Sequence, residues 1–165
     1  MEQNLKQVEK DIKQHRPEII DRLVNFALND VLLFWSTDKE VKQEQQEKWL
    51  PILKWVDNTL NARFKQTTSL EAEKTDKKAS LELKKYLDNL SDKELTSFYI
   101  AALNMRSVLL AVAMIKGRIS ATEAFELSEL EELYQARKWG SEPVAEARRN
   151  SIKDSLISAE KYLRQ

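Results

Sequence analysis

The strongest constraint on the fold is an almost entirely apolar stretch at residues 95–115, LTSFYIAALNMRSVLLAVAMI. Ser91 and Ser120 each precede a Glu by three positions, a spacing that is typical of a helix start. A helix that is apolar on all sides either crosses a membrane or forms the centre of a helical bundle. Arg106 lies near its middle, where a bilayer would penalise a charge. The sequence therefore predicts a central bundle helix, ended by a left-handed Gly117, and no membrane insertion.

The composition favours an all-α chain. Two glycines and three prolines are too few for the many tight turns of a β-sandwich or barrel, whereas helix-forming residues are abundant. A length of 165 residues suits one domain with one core. We therefore predict a compact helical bundle with a central, nearly all-apolar helix. It is expected to comprise a charged N-terminal helical segment at residues 1–16 and a single helical domain at residues 17–165.

Helical spacing of apolar residues places further helices before the central one. The N-terminal segment has only a thin stripe of Leu5, Val8 and Ile12, which predicts a fraying or partner-dependent helix. Pro17 suits the first turn of a second helix, and this helix leads into a run at residues 30–35 that is predicted to be buried.

The following segments are predicted to hold helices joined by a long connection. Thr37 is the predicted N-cap of a third helix, and Pro51 lies near the predicted start of the next. Residues 65–78 show no sustained period, so we interpret them as a solvated, mobile connection. A helix at about residues 79–89 follows. Its predicted apolar side consists of Leu81, Leu83, Tyr86, Leu87 and Leu90.

Two more helices are predicted after the central one. A charged amphipathic helix is expected from Ser120 to about Trp139. After a break at Gly140, the last helix is expected from about Glu142 to Leu163.

The residues that catalysis or cofactor binding requires are scarce. The chain has no Cys, and its single His, His15, has no neighbour at metal-ligand spacing and is interpreted as a surface residue. Glu-x-x-His pairs for a di-iron site and glycine-rich phosphate loops are missing from the sequence. Glu131 and Glu132 are neighbours that point about 100° apart on a helix, so they cannot work as a paired acid and base. We therefore predict no catalytic, metal or cofactor site and no enzymatic activity.

The charge balance argues against a nucleic-acid partner. Lys plus Arg number 27 and Asp plus Glu also number 27, so the chain has no net field that would attract a polyanion. The absence of Cys fits a reducing compartment. The N-terminus has neither the apolar core of a secretory signal nor the acid-poor composition of a transit peptide.

The most specific stretch is residues 117–140, GRISATEAFELSELEELYQARKWG. It resembles the C-terminal signature of the Atp-twelve family, the ATP synthase assembly factors that chaperone the alpha subunit of the catalytic sector. Residues 47–64 similarly resemble the family's Trp-x-Pro segment that closes in Ala-Arg-Phe. Order and spacing agree with the family from about residue 18 to about residue 163. The matching signature residues are Gly117, Arg118, Ile119, Ser128, Leu130, Glu131, Glu132, Tyr134, Gln135, Lys138, Trp139 and Gly140.

Three features differ from the family pattern. Family members usually begin with a β-rich domain, and nothing in this chain corresponds to it, so we expect either a naturally short homologue or a piece of a longer protein. Arg106 stands where the family commonly has a Gly, which argues against close helix packing at that point. Leu133 stands where the family commonly has a third acid, which reduces the acidic surface.

The resemblance implies an ATP-independent chaperone that binds the free alpha subunit of the ATP synthase, prevents its aggregation before ring assembly and uses no cofactor. It also implies that Glu131 is critical for function. A helical wheel places Glu131 at the border of an apolar side, as expected for a semi-buried or interfacial carboxylate. Pairing with Gln135 or Lys138 in its own helix is the alternative. The predicted client-binding residues are Glu131, Glu132, Tyr134, Gln135, Lys138 and Trp139.

Two alternatives stay open. Trp139 is either a core residue that closes one end of the bundle, which we favour, or an anchor in an interface. The function is either the chaperone activity or that of a non-catalytic scaffold or regulatory module that has lost the alpha-subunit client. The expected location is the cytoplasm of an alphaproteobacterium-like source, or the mitochondrial matrix if the source is eukaryotic.

Overall fold

The computed structural model describes residues 2–64 and 77–165, with side chains from residue 4 onward. These ranges are mostly helical and contain no β-strand, which confirms the all-α prediction. Two short 3-10 turns, Ala27–Asn29 and Val31–Leu33, join the second and third helices. The α-helices are α1 (Glu2–Gln14), α2 (Arg16–Phe26), α3 (Lys39–Leu60), α4 (Lys77–Asp88), α5 (Asp92–Met105), α6 (Val108–Ile115), α7 (Ala121–Ser128), α8 (Leu130–Trp139) and α9 (Pro143–Leu163).

Helices α5 and α6 form the centre of the core. In α6 the side chains from Val108 to Met114 are all buried. Helix α5 packs against α1 and α9, while α6 packs against α3 and α7. The apolar stretch is therefore surrounded by amphipathic helices, as predicted for the centre of a bundle.

The prediction of one continuous helix over residues 95–115 is wrong, because the chain breaks at Arg106. Arg106 has a φ of 57°, in the left-handed region where a side chain costs about 1–2 kcal/mol. Ser107 then caps α6, its Oγ accepting a hydrogen bond from the Leu110 N–H at 3.0 Å. Close packing is nevertheless kept. Met105 and Val108 are fully buried, whereas the Arg106 side chain is 54% exposed.

Asp30 ties the connection between α2 and α3 to this break. Its Oδ1 accepts hydrogen bonds from Ser107 Oγ at 2.7 Å and from the Leu32 N–H at 3.1 Å, and its Oδ2 accepts one from the Leu109 N–H at 2.9 Å. The carboxyl is completely buried, and this burial raises its pKa to about 6, although the hydrogen bonds act in the opposite direction. One side chain thus satisfies polar groups on two separate segments of the core.

Helix α1 differs from the fraying helix that the thin stripe predicts. Leu5 and Ile12 are buried, and α1 packs against both α5 and α9. The Tyr162 hydroxyl of α9 also donates a hydrogen bond to Glu9 Oε1 at 3.1 Å. The narrow apolar stripe of α1 is sufficient to hold this helix in place because it packs against both α5 and α9.

Helix α3 corrects two boundary predictions. Asp38, and not Thr37, is its N-cap, with the Asp38 carboxylate accepting hydrogen bonds from the Glu40 and Val41 N–H groups at 2.9 and 3.3 Å. Pro51 lies inside this single helix and does not start a new one. Because Pro51 and the residue one turn before it, Glu47, are both exposed, the carbonyl that loses its helical partner can bind water.

The predicted connection at residues 65–78 lies outside the described residues except for Lys77 and Lys78, which begin α4. Leu83 and Leu87 are buried as predicted, but Leu81 is 59% exposed. Leu81 is two positions before Leu83, which places it about 200° around the helix from the buried side.

The two predicted capping boxes are confirmed. Ser91 and Glu94 exchange side-chain-to-backbone hydrogen bonds at 3.1 and 3.0 Å. Ser120 and Glu123 do the same at 3.1 and 3.2 Å. Gly117 has a φ of 77° just beyond α6, as predicted for a left-handed cap.

The predicted helix from Ser120 to Trp139 is wrong in one respect, since it is divided at Glu129. Glu129 has φ −104° and ψ 20° and separates α7 from α8. The break at Gly140 and the last helix agree with the prediction. None of the described helices combines the length and the hydropathy that a membrane crossing requires.

The buried carboxyl of Asp30 should make stability depend on pH. Its pKa rises from 3.8 to about 6 on folding, so its contribution to the free energy of unfolding is greatest below about pH 4 and is lost as the pH rises to about 6. We expect the difference in unfolding free energy between wild type and Asp30→Asn to fall by about 3 kcal/mol across this window and then to stay level. Urea denaturation of both proteins between about pH 4 and pH 8 measures this difference. A difference that is constant with pH would contradict the raised pKa of Asp30.

The left-handed backbone of Arg106 predicts that Gly is preferred to Ala at this position. Both substitutions remove the same side chain, but only Gly relieves the strain, so Arg106→Gly should be more stable than Arg106→Ala by about 1 kcal/mol. Arg137, inside the regular helix α8, is the matched control, where Ala should be more stable than Gly by a similar amount. Thermal and urea unfolding of the four variants give both differences, and the same order at both positions would refute the expectation.

Candidate interaction surface

Helix α8 presents most of its surface to solvent. Leu130, at its first turn, is buried, and every residue from Glu131 to Arg148 is half-buried or exposed. Helices α3 and α7 contact α8. The part of the sequence signature that lies on α8 is therefore accessible.

An ion pair between a buried carboxylate and a partly exposed guanidinium holds the base of α8. The side chain of Glu129 is 1% exposed, and Arg148 of α9 donates hydrogen bonds to its Oε1 at 3.4 Å and its Oε2 at 3.0 Å. Arg148 also donates to Glu132 Oε2 at 2.6 Å, and Arg106 Nη2 lies 3.8 Å from Glu132 Oε1. Because a buried carboxylate without a partner is costly, this network determines how α8 leaves α7.

The six predicted client-binding residues do not form one patch. Glu131, Glu132 and Gln135 line a groove of about 250 Å³ on one side of α8. Tyr134 and Lys138 contact α3 on another side. We name the first depression the Glu131 groove. It is lined by Val31, Phe34, Trp49, Arg106, Ser128, Glu129, Glu131, Glu132 and Gln135.

Glu131 itself is exposed at this groove. Within the described residues it forms no ion pair or hydrogen bond through its side chain. The alternative of pairing within its own helix is not adopted with Lys138, because Lys138 contacts Glu40 of α3 at 3.4 Å. The position is accessible, as an interfacial carboxylate would be, but it is not semi-buried.

Exposed polar contacts hold the other side of α8 to α3. The Tyr134 hydroxyl donates a hydrogen bond to Glu40 Oε2, and Lys138 Nζ lies 3.3 Å from the same hydroxyl. The hydrogen bond from Tyr134, together with the Lys138 charge, holds the pKa of Glu40 below its usual value, while the Glu40 carboxylate raises the pKa of Tyr134. Arg137 adds two hydrogen bonds to Glu44, at 3.1 and 3.2 Å.

A second depression, of about 400 Å³, is lined by residues of α3, α7 and α8, and we name it the Leu133 groove. Leu133 and Ala136 of α8 are half-buried, so part of the apolar side of this helix stays open to solvent. An acid at position 133 would place a charge against this apolar surface, and the leucine instead extends it. The groove is lined by Glu44, Lys48, Glu126, Leu130, Leu133, Ala136 and Arg137.

The favoured prediction that Trp139 is a core residue is wrong, because its side chain is 68% exposed. Helix α8 ends at Trp139, and Gly140, with a φ of 79°, turns the chain into a segment that is exposed through Val144. Lys138 Nζ lies 5.2 Å from the centre of the Trp139 ring. The exposed indole therefore fits the other alternative, an anchor in an interface.

The two residues that fix the position of α8 are not among the predicted site residues. Glu129 falls within the predicted helix from Ser120 to Trp139, and Arg148 falls within the predicted last helix. Their pairing joins positions that are far apart in sequence, so no local pattern could have revealed it. The one available signal was a carboxylate directly before the signature acids.

No group of three or more His, Cys, Asp or Glu residues in the described ranges has the arrangement of a metal site. His15 is exposed and lies 3.1 Å from Glu18, consistent with a surface residue. The surface around α8 combines two grooves, an exposed carboxylate and an exposed indole, and such an arrangement is suited to recognising another macromolecule.

Comparison with known proteins shows a similarity to ATP12 proteins. A family model described as ATP12 chaperone protein matches residues 3–57. The chain is 25% identical over 161 residues to the mitochondrial protein atp12 of Schizosaccharomyces pombe, covering 90% of this chain and 55% of that protein. It therefore spans about half the length of this curated relative.

Solved structures agree with this match. The crystal structure of Atp12 from Paracoccus denitrificans has a TM-score of 0.90 at 25% identity, covering 95% of this chain and 68% of that one. A protein from Agrobacterium tumefaciens shares the fold with a TM-score of 0.84 at 23% identity, covering 92% of this chain and 57% of the other. In both sequence and fold, the chain is therefore similar to ATP12 chaperone proteins.

Proposed function

We propose that this chain is an assembly chaperone of the ATP synthase, which binds the free alpha subunit of the catalytic sector and prevents its aggregation before the ring assembles. The observation that carries the proposal is the similarity to ATP12 chaperone proteins of a chain whose helix α8, which holds the second half of the sequence signature, is exposed. The site of action would be the bacterial cytoplasm or the mitochondrial matrix, where such assembly takes place.

The chemistry of α8 supports binding of a folded partner with an incompletely covered surface. Trp139 offers a large exposed apolar side chain, and Trp is enriched at positions that dominate binding energy. The Leu133 groove offers open apolar surface on the same helix, and Glu131 offers a carboxylate that has no partner among the described residues. Recognition would rest on shape and charge and would consume no ATP.

The proposed client-binding residues are those that sequence analysis named, now divided between two sides of one helix. Glu131, Glu132 and Gln135 would contact the client through the Glu131 groove. Tyr134 and Lys138 are engaged with Glu40, so they would act by holding α8 to α3 or would exchange this contact for the client. Trp139 would extend the contact beyond the end of the helix.

Reversing the charge of Glu131 should weaken client binding without unfolding the protein. We expect Glu131→Lys to reduce the soluble alpha subunit that co-elutes with the chain in size-exclusion chromatography after co-expression. An exposed carboxylate contributes little to folding, so the unfolding temperature should change little. Asp154→Lys on α9 is the control, since Asp154 is also an exposed acid.

The two rival functions separate in this experiment. Co-elution of wild type and Asp154→Lys, but not of Glu131→Lys, supports the chaperone and locates its surface. If the wild-type chain is folded but the alpha subunit stays insoluble and nothing co-elutes, the proposal fails. A non-catalytic scaffold that has lost this client would then become the better explanation.

Removing the exposed indole should also weaken the complex. Wild type and Trp139→Ala, carrying different tags, would compete for alpha subunit in one co-expression, and their ratio in the purified complex would be measured by mass spectrometry. We expect Trp139→Ala to be depleted about tenfold, which corresponds to about 1.4 kcal/mol of binding free energy. Leu81→Ala on α4, another exposed apolar side chain, should be recovered equally with wild type. Equal recovery of Trp139→Ala would remove Trp139 from the interface.

A further inference from the structure

The Glu131 groove has one more negative charge than positive. Three carboxylates line it, those of Glu129, Glu131 and Glu132. Arg148 and Arg106 provide two positive charges at Glu129 and Glu132, with Arg148 contacting both carboxylates. Glu131 is left without a counter-charge among the described residues. The surplus negative charge therefore lies on the carboxylate that is exposed.

Aromatic and apolar side chains also line the groove. Val31 and Phe34 are half-buried, so part of each side chain is open to the groove. Trp49 also lines the groove but is buried, and its Nε1 donates a hydrogen bond to the Leu127 carbonyl at 2.8 Å, which fixes the ring. Gln135 is exposed on α8 one turn after Glu131 and adds an amide beside the carboxylate.

A groove with an apolar wall and one unpaired carboxylate fits a side chain with an apolar stem and a cationic end. Arginine meets this requirement better than lysine, because its planar guanidinium can lie against an aromatic ring and form two parallel hydrogen bonds to a carboxylate. An acidic side chain would face the surplus negative charge, because Arg106, which lines the groove, and Arg148 already lie near the carboxylates of Glu129 and Glu132.

We propose that the Glu131 groove binds an arginine side chain of the client, with its guanidinium on the Glu131 carboxylate and its stem against Phe34. The proposal rests on the proposed function for the identity of the client, but it makes a separate statement about which side chain is recognised. Arg106 then acts as an internal competitor, because its positive charge lowers the attraction of the groove for a second cation.

The probe for this proposal is the capped tripeptide acetyl-Ala-Arg-Ala-amide, titrated into the isotope-labelled full chain and followed by NMR. We expect saturable shifts of the Gln135 side-chain amide and the Trp49 indole N–H. The same peptide with citrulline in place of arginine has the same shape without the charge, and it should cause no saturable shift. The lysine peptide should bind more weakly than the arginine peptide.

Two variants should move the affinity in opposite directions. Glu131→Gln should weaken binding of the arginine peptide about threefold to fivefold, as expected for an exposed ion pair. Arg106→Gly, which also relieves the left-handed backbone, should strengthen binding by a similar factor. Equal binding of the arginine and citrulline peptides, shifts away from the groove, or an unchanged affinity in Glu131→Gln would overturn the proposal.

The outcome is distinguishable from failure of the chaperone function. If the alpha subunit co-elutes with the wild-type chain but the arginine peptide does not bind, the chaperone stands and the arginine site falls. If the peptide binds with the expected variant pattern but no alpha subunit co-elutes, the groove recognises arginine and the client is another protein.

Discussion

The pairing of Glu129 with Arg148 is the interaction on which the exposed surface depends. A glutamate that is almost completely buried must be neutralised, and the guanidinium that neutralises it comes from α9, a helix that packs against the central α5. The same guanidinium reaches Glu132 in the first turn of α8. The direction of α8 is thereby set by the core of the protein, although almost none of α8 is buried in that core.

The breaks in the helices are as important as the helices. Arg106 separates α5 from α6, and Glu129 separates α7 from α8. The side chains of both residues line the Glu131 groove. If either helix had continued, these charges would have been carried elsewhere around the helix. Asp30 stabilises the first break from inside, by accepting hydrogen bonds from Ser107 and Leu109. The groove is thus a product of two chain interruptions that meet in space.

What the sequence could predict was local. The capping boxes at Ser91 and Ser120 were predictable because both partners lie within four residues, and the burial of α6 followed from its composition. The resemblance to ATP12 proteins, and with it the position of the signature acids, followed from a run of residues in fixed order. The break at Arg106 was hidden because apolar periodicity continues across it and a left-handed arginine has no sequence signal. The exposure of Trp139 depends on whether another segment covers the end of α8, which no local pattern reports.

The exposure of Trp139 also gives the molecule an optical property. Of the four tryptophans, Trp35 and Trp49 are buried and Trp55 is half-buried, so Trp139 is the one indole that lies largely in water. The emission of an indole moves to longer wavelength as its surroundings become more polar, and the red edge of the intrinsic fluorescence therefore belongs mainly to this side chain. Trp139 ends α8, so its emission reports whether the end of this helix is exposed to solvent or covered by another molecule.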